Sequence, residues 1–131
     1  MTAAPVPLST HVDDAVWRAL VEHAPDAIVL VDLDSGRLVE VNHSAVALFG
    51  RAREELLGMD MAALSPPRQP DGIDSLESTA RHVEEVLAGR TAPFEWSFVD
   101  SHGTEVSCEV RYALLPVPQR RLLRIGILCI D

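Results

Sequence analysis

The feature that most constrains this chain is the change of hydrophobic period within residues 26–58, DAIVLVDLDSGRLVEVNHSAVALFGRAREELLG. Ala27 to Val31 is an apolar run, too short for an ordinary helix and rich in β-branched residues, so it reads as a buried strand. Asp32-Leu33-Asp34-Ser35-Gly36 is a polar turn, because Gly and Asp supply the backbone angles of a tight reversal, and Arg37 to Val41 is the returning strand. Asn42 ends this hairpin and can cap a short helix whose apolar face is Ala45, Val46, Leu48 and Phe49. Gly50 stops that helix, and Arg53-Glu54-Glu55-Leu56-Leu57-Gly58 forms one more short turn with its own terminal glycine.

On the N-terminal side, residues 1–10 hold two prolines and no periodic pattern, which predicts a flexible leader. Residues 11–24 carry Val12, Val16, Leu20 and Ala24 at every fourth position, with Trp17 and Val21 alongside, and so predict an amphipathic helix ended by Pro25. Such a stripe must cover the outer face of a sheet or meet the same helix of a second subunit. Downstream, the segment around SPPRQPDG has neither helical nor strand period and is a loop, either an ordered surface connection or a mobile lid. Asp74 followed by Glu77 makes a capping-box pattern, and Ile73, Leu76, Ala80, Val83 and Leu87 then recur at helical spacing up to Gly89.

The last third of the chain switches to a period of two. Phe94, Trp96 and Phe98 alternate with polar residues, as do Val106, Cys108, Val110 and Tyr112, which gives two half-buried strands joined at Asp100-Ser101-His102-Gly103. After the proline-stiffened link 115–119, Leu122 to Ile130 is apolar at almost every position, the signature of a central strand covered on both faces. The predicted class is therefore α+β: five antiparallel strands, short helices and one longer helix on one face, and an N-terminal amphipathic helix.

Charge narrows the function classes. With eleven arginines, no lysine and a net charge of −9, a basic patch for phosphates would have to stand against an acidic background, which argues against nucleic-acid contact. No apolar run reaches membrane-spanning length and the first residues lack a secretion-signal layout, so a cytoplasmic protein without membrane contact is expected. Cys108 and Cys129 are not in a Cys-x-x-Cys arrangement and suggest neither zinc nor a disulfide scaffold. The five histidines lack metal-ligand spacing, and there is neither a nucleophile elbow nor a phosphate-binding glycine loop, so an enzyme reading has no residue to start from.

Strand, Asp-Gly turn, strand ending in Asn, short helix ending Phe-Gly, then Glu-Leu-Leu-Gly, a longer helix and three antiparallel strands: in this order the chain resembles a PAS domain. The resemblance covers residues 25–131, and Asp131 falls where many PAS domains carry the Asp of a terminal Asp-Ile-Thr signature leading to an output helix. It implies a sensory domain of a larger signalling protein that relays a change to a C-terminal output domain of the same chain. That output is a histidine kinase of a two-component system, a nucleotide cyclase, a phosphatase or a transcription regulator. The resemblance also implies a homodimer through the N-terminal helix and outer sheet face. A ligand-free dimerisation or protein-interaction module is the competing reading.

The resemblance further implies a pocket for a small organic ligand between sheet and long helix. Its wall would be Val29 and Val31 of the first strand, Ala80, Val83 and Leu87 of the helix, Phe94, Trp96 and Phe98 of the third strand, Cys108, Val110 and Tyr112 of the fourth, and Ile125, Ile127 and Cys129 of the last. The same residues would serve equally as plain core, since periodicity identifies the buried face and not whether it is filled. A buried indole N–H or phenol wants a partner, which favours a cavity at Trp96 and Tyr112. Haem-binding relatives take a histidine from the long helix, but His82 lies about 140° from the apolar stripe at 100° per residue and should face water. Flavin photosensors of the light-oxygen-voltage type carry an Asn-Cys-Arg motif where this chain has Met59-Asp60-Met61-Ala62, which leaves only a non-covalent flavin beside the pocket tryptophan. The inward cysteines read either as small inert hydrophobes or as redox switches.

Overall fold

The computed structural model describes residues 14–130. The leader at 1–10, Val12 of the first helix and Asp131 lie outside them. In chain order the elements are α1 (Asp14–Glu22), β1 (Ala27–Asp32), β2 (Arg37–Val41), α2 (His43–Phe49), α3 (Arg53–Leu56), a 3₁₀ turn (Met61–Leu64), α4 (Ser75–Leu87), β3 (Phe94–Val99), β4 (Glu105–Leu114) and β5 (Leu122–Cys129). The five strands form one antiparallel sheet in the order β2-β1-β5-β4-β3, so the last strand of the chain lies at its centre.

One face of this sheet builds the core. Val29 and Val31, Trp96 and Phe98, Cys108, Val110 and Tyr112, and Leu123, Ile125 and Ile127 are all buried on it. Leu38, Ala45, Phe49, Leu56, Met61 and Leu64 close over them from the flanking hairpin and helices. Phe49 meets Phe98 edge-on at 5.4 Å, which locks α2 against β3. Gly50 makes this possible by ending α2 in the left-handed region at φ 63°, where a side chain would be strained.

Asn42 does more than cap α2. Its Oδ1 accepts from the N–H groups of Ala45 and Ile28, at 3.1 and 2.9 Å, while its Nδ2 donates to the carbonyls of Val21 and Asp26, at 2.8 and 3.0 Å. One fully buried amide thereby joins the end of α1, the start of β1 and the start of α2. Ser44 adds a bond from its hydroxyl to Ala24 O. The rest of α1 buries no residue, and Trp17, Leu20 and Val21 are exposed, so within the described chain its apolar stripe is not packed on the sheet and meets the outer face only at the hollow beside Val21.

Both edges of the sheet are occupied by something other than a strand. On β2, Leu38 N donates to Met59 O and Leu38 O accepts from Gly58 N. On β3, the Gln69 side chain takes a strand's place: Oε1 accepts from Ser97 N at 2.8 Å and Nε2 donates to Ser97 O at 3.2 Å. The proline-rich loop is thus an ordered connection, pinned through Gln69, which is 6% exposed.

Two expectations are corrected. β5 is central but not covered on both faces: Arg124 and Gly126 are half-buried on the outer face and Leu128 is 54% exposed. Among the described residues, the helices between β2 and β3 lie on the inner face, and only Val21 of α1 borders the outer one, across a hollow it shares with Arg124. The long helix is also rotated from the apolar stripe. α4 turns Ser75, Ser78, His82 and Val86 toward the sheet, whereas Leu76 and Leu87 are 65% and 46% exposed and Ala80 is exposed as well.

Candidate functional site

The rotation of α4 has a physical cause in the loop before it. Asp74 caps the helix by accepting from the N–H groups of Leu76 and Glu77. Ser75 Oγ then donates to Pro66 O and accepts from Gln69 Nε2, so the first polar side chain on this face is satisfied where it is buried. Two turns on, His82 lies flat on Phe94 with ring centroids 3.5 Å apart and an interplanar angle of 7°. The edges of Trp96 and Tyr112 stand near the same imidazole. The expectation that His82 faces water is therefore overturned: a stack on the edge strand outweighs the pull of the aliphatic stripe. Burial lowers the His82 pKa from its ordinary value, with Glu85, 3.3 Å from Nδ1, pulling weakly the other way.

This cluster fills what would be a central cavity. Trp96, Phe98, Val110, Tyr112 and Ile125 enclose a space with Phe94, Met61 and Thr79 that has no room for a water-sized molecule. Trp96 Nε1 donates to Ser65 Oγ at 3.0 Å, and Ser65 in turn donates to Met61 O, so the indole has found its partner inside the protein. This enclosed centre has no room for a haem or a flavin ring. Among the described residues, no group of three or more His, Cys, Asp or Glu could hold a metal ion.

The open space lies beside the filled centre. A groove of about 410 Å³ runs between α4 and the inner face of the sheet. Val31, Leu33, Leu123, Ile125 and Tyr112 form its floor, Leu76, Thr79, Ala80, Val83 and Glu84 its helical wall, and Gly36 and the segment Asp60 to Ala62 its far end. The apolar stripe of α4 flanks this groove: Val83 is half-buried against the core, whereas Leu76 and Ala80 are exposed. Tyr112 is 7% exposed, and its hydroxyl makes no hydrogen bond to another described residue. Burial pushes its pKa up, so it remains a neutral phenol that can both donate and accept.

Of the residues singled out from the sequence, the structure brings Val31, Ala80, Val83 and Tyr112 together around the groove. Trp96, Phe98 and Val110 enclose the filled centre, and Val29, Cys108 and Ile127 are plain core at 2% exposure or less. Leu87 is exposed and lies outside the groove wall, since α4 ends there. Cys129 faces Cys108, as the alternation implies, but is exposed, because it sits beyond the cover of α4. Leu33, Gly36, Leu76, Thr79, Glu84, Leu123 and the segment Asp60 to Ala62 were missed. Leu76 was in the helical stripe, Thr79 and Glu84 are polar residues beside it, and Leu123 lies in a run apolar at almost every position; the others stand in turns, where no period marks a wall.

This architecture, a hairpin running into short helices and a sheet with its last strand at the centre, matches the PAS fold family model over residues 15–131. The chain belongs to the PAS family. The PAS domain of a two-component sensor histidine kinase superposes on it with a TM-score of 0.71 at 15% identity, over 98% of this chain and 100% of that one. A domain of the sensory box sensor histidine kinase/response regulator from Geobacter sulfurreducens is 27% identical, with a TM-score of 0.66 over 86% of this chain and 90% of that one. An uncharacterised protein of Azorhizobium caulinodans is 40% identical over 50 residues, 38% of this chain, and the match spans only 7% of that protein's length. PAS domains are in general sensory modules rather than enzymes, and among the described residues of this one no helix is long and apolar enough to cross a membrane.

Proposed function

We propose that this PAS domain is the sensory part of a larger signalling protein and holds a small, mostly apolar organic molecule in the groove between α4 and the sheet. The observation that carries this reading is the pairing of an aliphatic wall, Leu76, Ala80 and Val83, with the buried Tyr112 on the opposite side, whose hydroxyl makes no hydrogen bond to another described residue. Apolar walls with one polar handle are how proteins hold small organic ligands. The ligand would touch Leu123 and Ile125 of the central strand β5, whose end leads toward Asp131 and an output domain such as a histidine kinase, cyclase or transcription regulator. A ligand that prefers one arrangement of β5 and α4 would shift their populations and so bias the output domain.

The test is native mass spectrometry of protein purified from cells, with a near-ultraviolet and visible absorbance spectrum. A bound mass is expected in the wild type and not in Ala80→Trp, which fills the groove from the exposed side of α4. Tyr112→Phe should weaken retention by about tenfold, the worth of one hydrogen bond. A ligand held equally by Ala80→Trp would show that it sits elsewhere.

A second reading has its own support. Trp17, Leu20 and Val21 of α1 are exposed, and Val21 adjoins Ile28, Leu30 and Leu115 around an apolar hollow of about 330 Å³ on the outer sheet face. This surface suits a second copy of the chain, giving a homodimer. Sedimentation of the wild type and Leu20→Glu decides it: a dimer that dissociates in the variant supports this interface, and a wild-type monomer at all concentrations removes it.

A further inference from the structure

Cys108 and Cys129 stand directly opposite each other on β4 and β5, with their sulfurs 3.6 Å apart. The ladder makes this a close pair. Ile130 N donates to Ser107 O at 2.9 Å, so the neighbouring pair 107/130 is the hydrogen-bonded one, and Cys108/Cys129 is a non-hydrogen-bonded pair. In that position the Cα atoms are about 4.5 Å apart, inside the window of about 4.4–6.8 Å that a disulfide spans. Rotation about the two Cα–Cβ bonds can bring the sulfurs to the bonding distance of about 2 Å without moving a strand. The two thiols also differ in access: Cys108 is fully buried and Cys129 is exposed.

From this juxtaposition we infer that Cys108 and Cys129 form a reversible redox dithiol, oxidised by a hydroperoxide to a cross-strand disulfide. The Cys129 thiolate attacks the terminal oxygen of the hydroperoxide, breaking the O–O bond, releasing the alcohol or water and leaving a sulfenic acid. Cys108, as thiolate, then attacks the Cys129 sulfur, and the S–O bond breaks with loss of hydroxide, which takes up the proton released by Cys108. In sum, two thiols and one hydroperoxide give one disulfide, one alcohol or water, and one further water. A thiol reductant reverses the step by exchange. The inference is independent of any ligand in the groove, because neither cysteine lines it. Its structural effect is local: the bond would clamp the exposed end of β5, the last described strand, to β4.

The experiment treats the protein with hydrogen peroxide, blocks remaining thiols with an alkylating agent and reads intact mass, for the wild type, Cys108→Ser and Cys129→Ser. The wild type should lose the mass of two hydrogens and both alkylation adducts, stay monomeric in covalent terms, and recover both adducts after reduction. Cys108→Ser should stop at a sulfenic acid that a 1,3-dicarbonyl reagent traps on Cys129, whereas Cys129→Ser should retain its one adduct. Hydrogen exchange of the Ile130 amide should slow at least tenfold on oxidation. Two alkylatable thiols surviving in the folded wild type, or oxidation only to sulfinic acid or to cross-linked dimers, would overturn the inference. Faster oxidation of Cys129→Ser than of Cys108→Ser would overturn the assigned order of attack, and unchanged Ile130 exchange would overturn the clamp.

Discussion

Asn42 lends itself to a substitution pair that separates two roles. As a helix cap alone, it should be replaceable by Asp, which caps equally well. As a joint it should not, because its Nδ2 donates to two carbonyls, Val21 O and Asp26 O, and a carboxylate has no hydrogen to offer either. In Asn42→Ala, the buried N–H of Ile28 loses its side-chain partner, which costs about 1–3 kcal/mol. Ala45 N keeps its bond to Asn42 O and loses only the cap, worth about 1 kcal/mol. The two carbonyls belong to exposed residues and can turn to water. The sum is about 2–4 kcal/mol, a large part of the total stability of about 5–15 kcal/mol typical of a domain. With a urea slope of about 1.5 kcal/mol per molar, the midpoint should fall by roughly 2 M. Asn42→Asp should lose at least as much at pH 7, since burial and two facing carbonyls raise its folded pKa above the unfolded value of about 3.9. A carboxyl raised in that way destabilises fully above its folded pKa, and the penalty disappears as pH falls toward the unfolded one. The gap between Asn42→Asp and wild type should therefore close in acid. Urea curves placing Asn42→Asp within about 0.5 kcal/mol of wild type at pH 7 would refute the joint and leave a simple cap.

Three further outcomes are expected. Gln69→Leu keeps the volume but strips both partners from Ser97, and should cost about 2–3 kcal/mol with faster hydrogen exchange of the Ser97 amide in particular. His82 has a folded pKa lowered by burial, so its contribution is whole above its unfolded value near 6.5 and is lost as pH falls through the folded one. Wild type should accordingly lose more stability than His82→Phe between pH 8 and pH 5 in parallel denaturation series. Gly50→Ala forces a side chain into φ 63°, 2.7 Å from Ser101 Oγ, and should lower stability by about 1–2 kcal/mol with the fold retained by circular dichroism.

Much of this fold was legible because it is written locally. The first hairpin follows from the short β-branched run and the Asp-Gly turn; the ends of α2 follow from Asn42 and Gly50, and the strands of the last third from their alternation. The orientation of α4 was not legible, because the equation of apolar with inward fails there. Ser75 and Ser78 are buried, and the network that satisfies Ser75 runs through Gln69 to Ser97, 28 residues away. Period alone also cannot show which face a helix covers or where that helix stops, so the exposure of Leu128 and Cys129 escaped a run that is apolar at almost every position. The groove suffered from both effects: its helical wall was expected to face straight into the sheet, and its floor was merged with the filled centre beside it.

The occupied sheet edges bear on how copies of this chain can meet. A bare edge strand presents unpaired N–H and C=O groups that another chain can extend, which is the usual route to open-ended aggregation. Here Gly58 and Met59 take that place on β2 at Leu38, and the amide of Gln69 does so on β3 at Ser97. Sheet continuation from one molecule to the next is obstructed at both sides by the chain itself. The dimer proposed through α1 and the outer sheet face would instead join side chains to side chains, and its number of partners would be finite.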